Sequence, residues 1–128
     1  MVTIQTILRI SDNSGGFFAM CIGILSQSRT AVIGDTLVIS IKSILLNRKL
    51  THQKKRKILK GGVYKAALIR SRQIQKRWGG QYLKCGSNSV VIVGNWDLPV
   101  ANRIYGPVLF EFRRSKFLKI AMLSEGTI

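Results

Sequence analysis

Hydrophobic and polar positions alternate from the start of the chain. Ile4, Thr6, Leu8 and Ile10 fall on one side of an extended backbone, and Gln5, Ile7, Arg9 and Ser11 on the other. A period near two in β-branched residues predicts a strand. Asp12-Asn13-Ser14-Gly15-Gly16 predicts its end, because short polar side chains bond nearby backbone and glycine accepts positive φ. Residues 17–25 read as a second strand, so the two form a hairpin. Gly34-Asp35 is another turn signal. A long strand is expected over 36–46, with Leu37, Ile39, Ile41 and Ser43 on one face and Val38, Ser40, Lys42 and Ile44 on the other.

The pattern then changes. Residues 47–60 hold Arg48, Lys49, Lys54, Lys55, Arg56, Lys57 and Lys60 with no matching acid. Crowded like charges repel, so this segment is expected to project from the body until Gly61-Gly62 ends it. Strand character returns over 63–72, where Val63, Ala67 and Ile69 alternate against Tyr64, Leu68 and Arg70. Residues 73–83 form a second basic excursion with Lys76, Arg77 and Trp78, closed by Gly79-Gly80, and read as a hairpin tip. Residues 88–93 are a short apolar strand.

From Asn95 the alternation fades. Gly106-Pro107 can open a helix at its first turn, with Val108, Glu111 and Arg114 at helical spacing. Ser115 is placed to cap a further short helix through Met122. Five or six short strands followed by a mixed tail predict a mainly β protein, and a closed barrel removes the exposed edges.

Composition adds the surface. The chain has 128 residues, 46% of them hydrophobic, which suits one folded domain. Yet 21 Lys and Arg face only 5 Asp and Glu, for a formal charge of +16. That excess calls for a polyanion partner, nucleic acid ahead of acidic membrane. Cys21 and Cys85 show no C-x-x-C pair or disulfide framework and read as buried free thiols. No run is long and apolar enough to span a membrane, so no membrane insertion is expected. The N-terminus looks like a strand, with neither transit peptide nor signal peptide character.

Catalytic chemistry is hard to assemble. His52 is the one unperturbed base, and it lies inside the Lys-rich segment. Asp12, Asp35 and Asp97 all sit at turns, where they serve the backbone. No metal-ligand spacing and no phosphate-binding glycine loop is present, so neither catalysis nor a cofactor is expected. The cations instead form two groups suited to RNA phosphates: Arg48, Lys49, Lys54, Lys55, Arg56, Lys57 and Lys60, then Arg70, Arg72, Lys76 and Arg77. Trp78 and Tyr82, beside the second group, either stack on bases or anchor the hairpin.

These residues resemble the universal large-subunit ribosomal protein fourteen family along nearly the whole chain. Gln5-Thr6 before Asp12-Asn13-Ser14-Gly15 is similar to its opening signature, and Met20-Cys21-Ile22 follows at its spacing. Gly34-Asp35, Lys60-Gly61, Lys65-Ala66, Arg70 and Asn88 match in order. Arg103-Ile104-Tyr105-Gly106-Pro107-Val108, with Glu111 and Arg113, resembles its most specific segment, and Phe117, Lys119-Ile120 and Ser124 complete it.

The resemblance implies one ribosomal protein domain over 1–128: a five-stranded β-barrel at about 1–95, a projecting basic hairpin, and short C-terminal helices at about 104–124. It implies binding to large-subunit rRNA at the subunit interface, beside large-subunit protein nineteen, with bridges to small-subunit rRNA. It also implies a protein and bridge face at Arg103, Arg113 and Lys116, where a ribosome-silencing factor would dock. Three features depart from the family. Ala101-Asn102 replaces the usual Gly-Thr, which bears on that docking. Phe17-Phe18 replaces a basic pair. The segment 47–60 is longer. With the Ile and Leu content, these departures point to a mitochondrial ribosome and an organelle-encoded chain, ahead of a bacterial cytoplasmic one. A free-standing OB-type RNA-binding module or RNA chaperone is the alternative.

Overall fold

The computed structural model describes residues 2–45 and 58–128. Five strands close into a barrel in the order β1 (Ile7–Ile10), β2 (Gly16–Ile24), β3 (Thr36–Ile44), β4 (Val63–Arg70) and β7 (Ser89–Val93). Neighbours run antiparallel, except that β7 meets β1 in parallel, with Arg9 opposite Ser89 and Ile10 opposite Val90. Closure leaves the barrel itself with no open sheet edge to recruit another strand. Between β4 and β7, β5 (Gln75–Lys76) and β6 (Tyr82–Leu83) pair as a separate hairpin. The expected five-stranded barrel is therefore present. Arg48, Lys49, His52, Lys54, Lys55, Arg56 and Lys57, with the projecting hairpin expected there, lie outside the described residues.

Leu8, Leu37, Ile39, Ile41, Ala66, Leu68, Val90 and Ile92 fill the barrel interior. A second core lies outside the barrel wall. There Ala67, Ile69, Val91 and Val93 pack under Ile104, Val108, Phe112, Phe117 and Ile120 of the C-terminal segment. The expected alternation in β4 holds, with Ala67 and Ile69 on one face and Leu68 on the other, and the second core buries the outer face as well. Ala66, Ala67, Leu68 and Ile69 are all buried, because one face meets the interior and the other meets the tail. A strand covered on both sides reads as a continuous apolar run.

The element boundaries also shift. β1 begins at Ile7 rather than at Ile4, because a turn precedes it: Gln5 adopts φ +70 and Thr6 N–H donates to Thr3 O. β4 ends at Arg70, short of Arg72. Pro107 opens no helix, since Val108 instead bridges Thr127 and Phe110 N–H donates to Ile128 O. The helical part is a 3₁₀ helix at Phe110–Arg114 and an α-helix, α1, at Leu118–Leu123. Ser115 punctuates them: its hydroxyl donates to Phe112 O and accepts from Phe117 N–H. The break lets Phe112 and Phe117 both face the barrel, their rings 6.1 Å apart. One continuous helix would turn residues five apart to different faces.

The first hairpin is tied into the core by Asp12. One carboxylate oxygen accepts from Ser14 N–H and the Ser14 hydroxyl, and the other accepts from Ile92 N–H at 2.9 Å. Burial is the main influence on this carboxyl and raises its pKa above the ordinary range, against the lowering effect of those hydrogen bonds. Gly15, at φ +102, completes a turn that a larger residue would strain.

Candidate nucleic-acid interface

The acids of the chain are all engaged by the protein itself. Asp12 holds the first turn, and Asp35 accepts from Val32 N–H. Glu111 holds Arg77 at 2.9 Å, Glu125 approaches Arg103 at 4.0 Å, and Asp97 holds Lys116 at 3.1 Å. Among the described residues the other Lys and Arg side chains have no acid within ion-pair distance. The fold thus concentrates uncompensated positive charge at its surface.

Part of that charge lines a groove of about 540 Å³ at one end of the barrel. Arg9 of β1, Arg70 of β4, Lys84 and Ser87 border it. Asn88 organises the rim: its backbone carbonyl accepts from Arg9 N–H and its side-chain oxygen from Arg72 N–H. Cys85 N–H donates to Ser71 O, drawing the end of the second hairpin against β4. Cys85 is half-buried and Cys21 buried, and both are free thiols.

The predicted cations have different surroundings. Arg72, Lys76 and Lys60 have no acid partner and stand at the surface. Arg77 does not reach outward. It pairs with Glu111, and its Nη2 also donates to Ile128 O. Arg70 is a clamp: Nη1 donates to Tyr105 O and Pro107 O, and Nη2 to the Ser11 hydroxyl. Burial, foremost, and the neighbouring Arg9 charge lower the pKa of Arg70, while Cys85 and Glu125 act in the opposite direction. Of the expected protein face, Arg103 stacks 5.7 Å from the Tyr105 ring and Arg113 stacks 5.2 Å from the Phe110 ring. Lys116 reaches Asp97 and the Thr36 hydroxyl. Each of the three is held by its own partner, and no contact joins them.

Trp78 stands fully exposed at the tip of the β5–β6 hairpin, and Tyr82 is mostly exposed behind it. Trp78 at full exposure does not anchor the hairpin on the barrel. Sequence reading passed over Arg9 and Lys84. Both are isolated cations in apolar or small-residue surroundings, and only the parallel closure of β7 on β1 brings them to one groove.

Comparison with known proteins decides the family. The family model for ribosomal protein L14p/L23e matches residues 1–128. The chain belongs to this family. It is similar to the large ribosomal subunit protein uL14m of Acanthamoeba castellanii, 35% identical over 131 residues and the full length of both chains. It is also similar to uL14m of Acanthamoeba polyphaga, 36% identical over 115 residues, covering 88% of this chain and 97% of the relative. The chain is therefore a structural constituent of the large ribosomal subunit, and its relatives are structural proteins rather than enzymes. Both relatives are mitochondrial members, so the expected mitochondrial location holds.

Proposed function

We propose that the barrel fixes its unpaired cations against large-subunit rRNA. The observation that carries this reading is the engagement of all the acids within the fold, which leaves Arg9, Arg72, Lys76 and Lys84 without an acid partner. A cation needing no rearrangement neutralises a phosphate and releases a condensed counterion. Arg9, Arg72, Lys76 and Lys84 supply such contacts from the described residues, and Trp78 offers an indole face to an unpaired base. Arg48, Lys49, Lys54, Lys55, Arg56, Lys57 and Lys60 extend the same chemistry. Phosphate contacts set position and orientation and add little base specificity.

By its family resemblance the chain stands at the subunit interface, beside large-subunit protein nineteen, and joins bridges to small-subunit rRNA. On the same reading, Arg103, Arg113 and Lys116 present the bridge face. Ala101-Asn102 there alters the contact with a ribosome-silencing factor.

Salt titration of rRNA binding tests the reading. Changing Lys54, Lys55, Arg56 and Lys57 together to Gln should flatten the log–log slope by about 3, the counterion release of four phosphate contacts. Changing Lys76 and Lys84 to Gln should flatten it by about 1–2 more. Slopes equal to that of the unaltered chain would remove these residues from the interface. Trp78→Ala should weaken binding by about 1–3 kcal/mol without changing the slope, as expected for a stacking contact.

A further inference from the structure

The barrel has two apolar outer faces, and among the described residues the chain covers only one. Ala67, Ile69, Val91 and Val93 on the first are buried by the C-terminal segment. The second crosses β1, β2, β3 and β4. Strand register aligns Ile7, Met20, Ser40 and Val63 in one row across the four strands. Ile7 is 65% exposed and Val63 61% exposed at the row's two ends. Phe18 and Ile22, outward on β2 to either side of Met20, are also exposed. Aliphatic and aromatic residues at successive outward positions of a solvent-facing sheet mark an interaction surface.

We propose that this face docks a neighbouring protein whose contact patch is apolar at its centre and acidic at its margin. Charge selects the occupant. Lys42 and Lys65 rim the patch on β3 and β4, and neither has an acid partner. A second copy would bring the same cations and a formal charge of +16, so it is repelled. RNA satisfies the rim but not the centre, where its phosphates would lose water against Ile7, Met20 and Val63 without gaining a hydrogen bond. An acidic-margined protein satisfies both. The contact is separate from the rRNA-facing groove, whose lining includes none of Ile7, Met20, Lys42, Val63 or Lys65.

Photo-crosslinking in assembled large subunits tests it, with benzoylphenylalanine placed at Ile7 or, separately, at Val63. Both sites are exposed, so the probe leaves the core intact. The expected result is a crosslink to one other protein, at a peptide with apolar residues flanked by Asp or Glu. Lys42→Glu with Lys65→Glu should then cut the crosslink yield by about tenfold, because the rim attraction becomes repulsion. Crosslinks to rRNA, crosslinks to a second copy, the absence of any crosslink, or a yield unmoved or raised by charge reversal would each overturn the proposal. The same probe at Trp78 reports separately on the rRNA contact, so the two readings fail independently.

Discussion

Replacing Arg70 with methionine should lower the free energy of unfolding by about 2–3 kcal/mol, with little change in the salt dependence of rRNA binding. Arg70 bonds two carbonyls and a hydroxyl, from Tyr105, Pro107 and Ser11. These contacts pin the 105–107 turn against the barrel end. The groups left behind would be only partly rehydrated. Gly106 in that turn lies directly against the guanidinium, at φ +79, so a side chain there would both strain the backbone and collide with Arg70. Arg70→Lys should recover only part of the loss, since a single ammonium cannot fork across three acceptors. Urea unfolding measures the effect. Unchanged stability together with a flattened salt slope would turn Arg70 from a clamp into a phosphate ligand.

Asp12→Ala should cost about 3 kcal/mol. It strips the buried Ile92 N–H of its acceptor and opens the turn at Ser14. Asp12→Asn should cost less, about 1–2 kcal/mol, because an amide supplies an acceptor to one side only. The pH dependence is opposite to that of a salt-bridged carboxylate. Burial raises the folded-state pKa of Asp12 above its unfolded value, so the folded protein holds the proton longer as pH rises. Asp12 therefore contributes a loss of stability as pH climbs from the ordinary carboxylate range through the raised value. Asp12→Asn should remove that component, and thermal melts across this acidic window would show it as a flatter profile. An unchanged profile would mean the carboxylate is solvated in the native state.

The barrel was legible because its strands are short, alternate cleanly and end at glycine-bearing turns. Leu37, Ile39 and Ile41 show the point, as all three face inward as the period requires. β4 was less legible. Its residues Ala66 to Ile69 are buried on both faces, and nothing in a local window tells where a tail some 40 residues later will pack. The C-terminal break at Ser115 has the same origin, since two phenylalanines seek one wall. Among the candidate cations, density in sequence was a guide to positive charge but not to availability. Arg77 and Arg70 resemble their neighbours in the sequence, yet the fold gives them Glu111, Ile128 and the 105–107 carbonyls. Arg9 and Lys84 are isolated in sequence and adjacent only through barrel closure. The resemblance of Arg103 to Val108 supplied the family, which alternation alone could not.

The role of Asp12 also had a partial signal. Its place before Asn13-Ser14-Gly15 predicts a turn bond, and that bond forms. Its second bond, to Ile92, spans 80 positions and depends on topology. Turn chemistry is local, whereas the reason this acid is buried is not.

Sedimentation of mitochondrial large subunits tests most directly whether rRNA is the counter-charge to this barrel. The chain should comigrate with the subunit through washes of moderate salt and should leave it when the rRNA is digested. A chain released by those washes, or one that stays with the remaining proteins after digestion, would contradict rRNA as its principal anchor.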